Sequence, residues 1–232
     1  MPDPITAILF DLDGTLADTA IDLYVALNRL QQEEKQALTP LSTLRQVASN
    51  GSIAMIRTGF GVERDHPRFH DLQQRFLQYY RQALTDNAVL MPGMEALLQA
   101  LAERQTDWGI VTNKPGWLTD PLVETLPLPS APKCVISGDT VDRGKPHPDS
   151  LLHACRLLQK PPQECLYVGD AERDIQAGRS AGMRTVAAGF GYISVDNPPR
   201  NWQADYTIDH PEQLLNLLTD LLETELNAHE HP

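Results

Sequence analysis

Short strand-like runs alternate with helical patterns along most of this chain, and that alternation restricts the fold more than any other feature. The runs "ITAILF" (5–10), "DWGIVT" (107–112), "KCVIS" (133–137), "ECLYVG" (164–169), "RTVAAG" (184–189) and "ADYTI" (204–208) read as strands. Between them lie amphipathic stretches such as "GMEALLQALAERQ" (93–105), "PDSLLHACRLLQ" (148–159) and "AERDIQAGRSAG" (171–182). Strands joined through helices line up in parallel, and the helices then cover both faces of the sheet. The expected fold class is therefore α/β, with a parallel, Rossmann-like core. Sheets of this kind bind ligands beyond the carboxyl ends of their strands. Asp11, Asp13, Thr112, Asp139 and Asp170 all fall just after strand-like runs, which gathers polar groups on one edge.

The alternation breaks once. Residues 17–88 contain no convincing strand but several helical stretches, including "DLYVALNRLQQEE" and "DLQQRFLQYYRQAL". The expected organisation is an α/β core of residues 1–16 and 89–232, with 17–88 inserted as an all-helical cap folding over the functional edge. The segment "PEQLLNLLTDLLETEL" reads as a final amphipathic helix, "NAHEHP" as a frayed tail and "NPPRNW" (197–202) as a surface loop.

The 232 residues suit one large domain or a domain carrying an insertion. A formal net charge of −12 argues against nucleic acid or an anionic membrane as partner. It also means that any phosphate-bearing substrate needs a local positive pocket. Cys134, Cys155 and Cys165 are widely spaced without a CxxC pair, and read as reduced thiols. No basic leader opens the chain, and no stretch approaches the roughly 20 apolar residues of a membrane helix. A soluble, cytoplasmic protein is expected, as monomer or homodimer; the "NGS" sequon at Asn50–Ser52 is then a chance match.

The first run ends in "DLDGT", placing Asp11 and Asp13 on the same side of the strand end. Two carboxylates that close repel, and a divalent cation compensates them if further oxygen ligands are supplied. Asp11 could then act as a nucleophile, and Asp13 as a general acid and base beside it. Gly14 permits a sharp turn and Thr15 can fix the loop. Alone, the pattern reads more simply as a strand-end Asx turn. "VTNK" (111–114) ends another strand in a hydroxyl and an amide, a cradle for phosphate oxygens or merely a helix cap. "GKPHP" (144–148) holds Lys145 between glycine and proline, although a lone lysine is usually solvated. "VGDAERD" (168–174) puts Asp170 after a strand and Asp174 on the same helical face, as ligand and support or as N-cap and exposed acid.

Their order is more specific than any member. The chain resembles the haloacid dehalogenase superfamily, whose four motifs are matched by Asp11-Leu-Asp13-Gly-Thr15, Thr112, Lys145 and Gly169-Asp170…Asp174, and whose cap insertion occurs where the helical segment lies. The resemblance implies a Mg²⁺-dependent phosphatase acting on a small phosphomonoester. Asp11 would form an aspartyl-phosphate, and Asp13 would shuttle protons. Thr112, the Asn113 backbone and Lys145 would hold phosphoryl oxygens. Magnesium would sit on Asp11, Asp170 and the Asp13 carbonyl, with Asp174 in support. Relatives often carry Ser where Ala171 stands, a change expected to touch only the metal's surroundings.

Within the superfamily, "VTNKP", "YVGDAERDIQAG" and "GFGYI" look most like the phosphoglycolate phosphatase-like branch, and "GDT…KPHP" also resembles N-acetylmuramic acid 6-phosphate phosphatases. Arg45, Asn50 and Ser52 in "RQVASNGSIAM" are candidates for reading the leaving group; Arg45 suits a carboxylate but also reads as an exposed helix charge. "GDTVDRGKP" misses P-loop spacing and "GFGY" lacks the dinucleotide pattern. His66, His70, His147, His229 and His231 show no metal-like spacing, and Met91 and Met94 read as core filler. Asp13 speaks against a dehalogenase on this fold. A phosphomutase, a broad sugar-phosphate phosphatase and a non-catalytic binding protein are the alternatives, the last disfavoured because no motif residue is missing.

Overall fold

The computed structural model describes residues 4–219 and 221. Six strands form one parallel sheet: β1 (Ala7–Phe10), β4 (Asp107–Val111), β5 (Val135–Ile136), β6 (Cys165–Gly169), β7 (Arg184–Ala188) and β8 (Tyr206–Ile208), in the order β5-β4-β1-β6-β7-β8. The alternation of side chains along each strand splits the core in two. Ile8, Phe10, Ile110, Leu166 and Val168 face Leu97, Leu98 and Leu101 of α5 (Met94–Glu103) and Leu118 and Leu122 of α6 (Gly116–Thr125). Ala7, Leu9, Val111, Cys165 and Tyr167 face Leu151, Ala154 and Leu158 of α7 (Asp149–Leu158) and Ala177 and Ala181 of α8 (Glu172–Ala181). Strands buried on both faces read as continuous apolar runs, which is why they stood out in the sequence.

Between β2 (Ala17–Asp18) and β3 (Val89–Leu90) the chain forms only helices: α1 (Ala20–Glu33), α2 (Leu41–Arg45), a 3-10 turn (Ala48–Asn50), α3 (Gly51–Phe60) and α4 (Phe69–Ala83). The two short strands pair antiparallel, Ala17 opposite Leu90 and Asp18 opposite Val89. That ribbon is a departure from the strand-free reading of 17–88: two residues are too few to leave a periodic signal, and they pair because the outgoing and returning chains run side by side. Leu27, Leu30, Phe76 and Tyr80 join α1 to α4 in an apolar layer continuous with the upper core. Gln31, fully buried, stitches the layer by donating to the Gly59 carbonyl (2.8 Å) and the Thr39 hydroxyl (2.9 Å) and accepting from the Thr39 amide (3.0 Å).

Some expected elements come out shorter, among them the run at 204–208, whose strand is Tyr206–Ile208. The run at 133–137 keeps only Val135–Ile136 as strand, at the sheet's edge with one neighbour. The C-terminal helix expected over 211–226 shows helical turns at 213–219, and most of its remainder, with "NAHEHP", His229 and His231, lies outside the described residues. Among the described residues, no helix is long and apolar enough to cross a membrane.

Candidate active site

Register delivers the site. Phe10 at the end of β1 is level with Ile110 of β4 and Val168 of β6, so the residues that follow these strands emerge side by side. Asp11, Thr112 and Asp170 are these residues, and each is buried. Two glycines let loops close on Asp170. Gly14 turns with φ +83°, and a Cβ there would lie 2.2 Å from Asp170 Oδ2. A Cβ at Gly191 would lie 2.3 Å from Asp170 Cβ and 2.6 Å from the Gly14 carbonyl.

Lys145 occupies the centre. Its Nζ lies 2.8 Å from Asp11 Oδ1 and 2.7 Å from Asp174 Oδ1, and donates to the Tyr167 hydroxyl (2.7 Å) and the Val111 carbonyl (3.0 Å). A buried ammonium is tolerated only with such partners. Asn113 fixes the lysine's loop: its amide nitrogen donates to the Lys145 carbonyl (2.8 Å) and its amide oxygen accepts from the Lys145 N–H (2.9 Å). The Asn113 side chain is thus committed to the protein, and only its main chain remains for a ligand.

Asp11, Asp170 and Asp174 each bring one carboxylate oxygen within 4.8 Å of the others, all three residues buried. Burial, reinforced by the charges of Asp11 and Asp174, pushes the Asp170 carboxyl up to about 7. Burial likewise raises Asp11, with Lys145 pulling the other way. Asp170 Oδ2 accepts from the Tyr192 amide (2.8 Å) and the Ser49 hydroxyl (2.6 Å), while Asp170 Oδ1 is buried without a hydrogen-bond partner among the described residues. Asp174 Oδ2 accepts from the Ala171 amide (3.0 Å), so both its oxygens are engaged within the fold. An orphaned carboxylate oxygen in a set of oxygen-only donors fits a hard divalent cation such as Mg²⁺.

The Asp13 side chain points away from that triad. Its Oδ1 accepts from Lys114 Nζ (2.7 Å) and the Thr19 hydroxyl (2.6 Å). It lines a cavity of about 330 Å³ shared by the core and the helical segment, with Asp11, Thr112, Asn113 and Lys114 on one side and Asn50, Ser52, Phe76 and Tyr80 on the other. Arg45 is not among the lining residues. It pairs with Asp18 at 2.7 Å and lies over the Tyr192 ring, a partnership between positions 27 apart that no local pattern announces. Arg173, also lining the cavity, donates to Asn50 Oδ1 (3.0 Å) and the Ser49 carbonyl, tying the 3-10 turn to α8. Lys114, Arg173, Ser49 and Tyr167 were not singled out from the sequence. Lys114 closes "VTNK" and could have been; Ser49, within "RQVASNGSIAM", carries no signal of its own.

A family model described as haloacid dehalogenase-like hydrolase matches residues 8–188. The N-acetylmuramic acid 6-phosphate phosphatase of Pseudomonas putida KT2440 is 37% identical over 216 residues, covering 93% of this chain and 97% of its own. The phosphoglycolate phosphatase of Xanthomonas campestris pv. campestris 8004 is 41% identical over 208 residues, covering 90% and 94%. A crystal structure described as a predicted phosphoglycolate phosphatase from Haemophilus somnus 129PT superposes with a TM-score of 0.81 at 24% identity, over 92% of this chain and 97% of that one. Fold, motif order and relatives of nearly full length agree, and the chain belongs to the haloacid dehalogenase-like hydrolases.

Proposed function

We propose that this hydrolase is a Mg²⁺-dependent phosphatase of small cytosolic phosphomonoesters, working through an aspartyl-phosphate on Asp11. The observation that carries the reading is Lys145, whose buried ammonium touches the Asp11 carboxylate within an acidic triad with one orphaned oxygen. Asp11, Asp170 and the Asp13 main-chain carbonyl would hold the cation, with Asp174 in support. When bound, it screens the repulsion between a carboxylate nucleophile and a phosphoryl dianion. Asp11 attacks phosphorus while Thr112, the Asn113 main chain and Lys145 hold the phosphoryl oxygens. Asp13 gives a proton to the departing alkoxide, then takes one from the water that cleaves the aspartyl-phosphate, releasing phosphate and restoring Asp11.

Helices α1–α4, approximately residues 17–88, serve as the cap that closes over the leaving group. Asn50 and Ser52, which line the cavity, are the candidates for reading it; Arg45, occupied by Asp18, acts in the cap's attachment instead. Two substrates lead, 2-phosphoglycolate and N-acetylmuramic acid 6-phosphate. The cavity of about 330 Å³, walled by Leu23, Ile53, Phe76 and Leu77, suits the larger, N-acylated ester. Three unpaired, buried thiols accord with a reducing compartment.

A phosphomonoester panel with Mg²⁺ tests the reading. Phosphate release from at least one of the two esters, abolished by EDTA and restored by Mg²⁺, is the expected result. Undiminished release after chelation would reject the metal-dependent mechanism.

A further inference from the structure

Lys114 belongs to none of the four motifs, yet it is 9% exposed and its ammonium is held between two layers of the molecule. From the core, Asp13 Oδ1 lies 2.7 Å from Lys114 Nζ. From α4, the Tyr80 hydroxyl accepts from the same ammonium at 2.6 Å, with the ring centroid 4.6 Å from Nζ. Thr19, at the start of α1, donates to the same Asp13 oxygen at 2.6 Å. Among the described residues, both side-chain donors to Asp13, Lys114 and Thr19, thus converge on Oδ1, and the side chain is 18% exposed along the cavity.

We infer that Lys114 is a positioning residue for the proton transfer at Asp13, and that Tyr80 makes this positioning depend on the helical layer being seated on the core. The inference rests on the phosphatase reading. Two donors on Oδ1 fix the rotation of the carboxyl, leaving Oδ2 to face the ester oxygen. As the Asp11–phosphorus bond forms and the phosphorus–ester oxygen bond breaks, the proton passes from Asp13 to the departing oxygen. The negative charge that develops on Asp13 in that step is met by an ammonium already in place. Water reversing the transfer in the second half-reaction finds the same carboxylate held the same way. Because Tyr80 belongs to α4 and Asp13 to the core, the lysine takes this pose only when both layers flank it. Substrate is then offered a proton where the leaving group is already enclosed.

Leaving-group chemistry tests this. An alkyl ester needs its departing oxygen protonated; p-nitrophenyl phosphate departs as a weakly basic phenolate and does not. The quantity kcat/KM covers the steps up to formation of the aspartyl-phosphate, so it isolates the proton donation. In Lys114→Met, kcat/KM for hexose 6-phosphate and 2-phosphoglycolate should fall about 100-fold, the scale of a general-acid contribution, with p-nitrophenyl phosphate falling less than about fivefold. Tyr80→Phe keeps the ring and should show the same split at about five- to tenfold, which keeps the inference testable should the lysine variant not fold. Equal losses for alkyl and aryl esters in the folded variants, or no loss in either, overturn it. A wild-type protein that hydrolyses no phosphoester would instead remove the phosphatase reading and this inference together.

Discussion

Lys145 balances the electrostatics of the site, because its fully buried ammonium lies between Asp11 and Asp174. Lys145→Met therefore leaves two buried carboxylates without their shared partner, and should destabilise the fold by about 3–5 kcal/mol. Mg²⁺ adds positive charge at the same place, so it should raise the Tm of the variant more than that of the wild type; an equal shift in both would contradict this. Asp11→Asn is nearly isosteric but has no carboxylate to attack phosphorus, so phosphate release should vanish while far-UV circular dichroism stays unchanged. Gly191→Ala pushes a methyl group against Asp170, and should abolish Mg²⁺-dependent activity with the sheet intact. The chemistry-bearing residues were legible because their types recur in a fixed order. Asp11, Thr112 and Asp170 stand directly after strands, although Lys145 lies in the loop before α7 and Asp174 within α8 rather than at strand ends. Gly191 and Tyr192 stand in "GFGYI", but their role did not show, because a glycine that clears space for Asp170 and an amide that caps it, 22 positions away, announce no contact locally.

Legibility followed burial at the level of elements. β1, β4, β6 and β7 are flanked on both sides and covered on both faces, so tertiary packing and local pattern demanded the same apolar run. β5, on the edge, and β2, paired only with β3, take their extent from partners distant in sequence. The helical layer was visible as a lack of strands, yet what holds it together was hidden. Gln31 looks like one more polar residue on a helix, and only the fold shows its amide bonded to Gly59 and Thr39 in a fully buried place. Gln31→Leu keeps roughly the volume but orphans the Gly59 carbonyl and the Thr39 amide. Each such loss costs about 1–3 kcal/mol, so urea unfolding should show the variant less stable by about 2–4 kcal/mol. A variant as stable as the wild type would mean that water satisfies those groups and that α1 and α3 are not sealed against solvent.

The whole chain carries a net charge of −12, and yet its candidate site must receive a phosphate ester. The structure reconciles these by concentrating cations where the acids converge: Lys145 inside the triad, Lys114 against Asp13 and Arg173 at the cavity wall. The same division between sealed interior and acidic surface governs the thiols. Cys134, Cys155 and Cys165 are 7%, 4% and 0% exposed, and burial pushes the Cys134 thiol up to about 11, so reactive thiolate is scarce there. Cys155 on α7 donates a long hydrogen bond to Cys165 on β6, sulfur to sulfur at 3.7 Å and without a disulfide, inside the apolar layer beneath the sheet. A disulfide-exchange reagent should therefore modify the native protein only as fast as that layer opens, and all three thiols at once in denaturant. Prompt reaction of any thiol under native conditions would show that the layer between the sheet and α7 is open. A single reactive thiol in denaturant without reductant would instead show that the neighbouring pair had already closed into a disulfide.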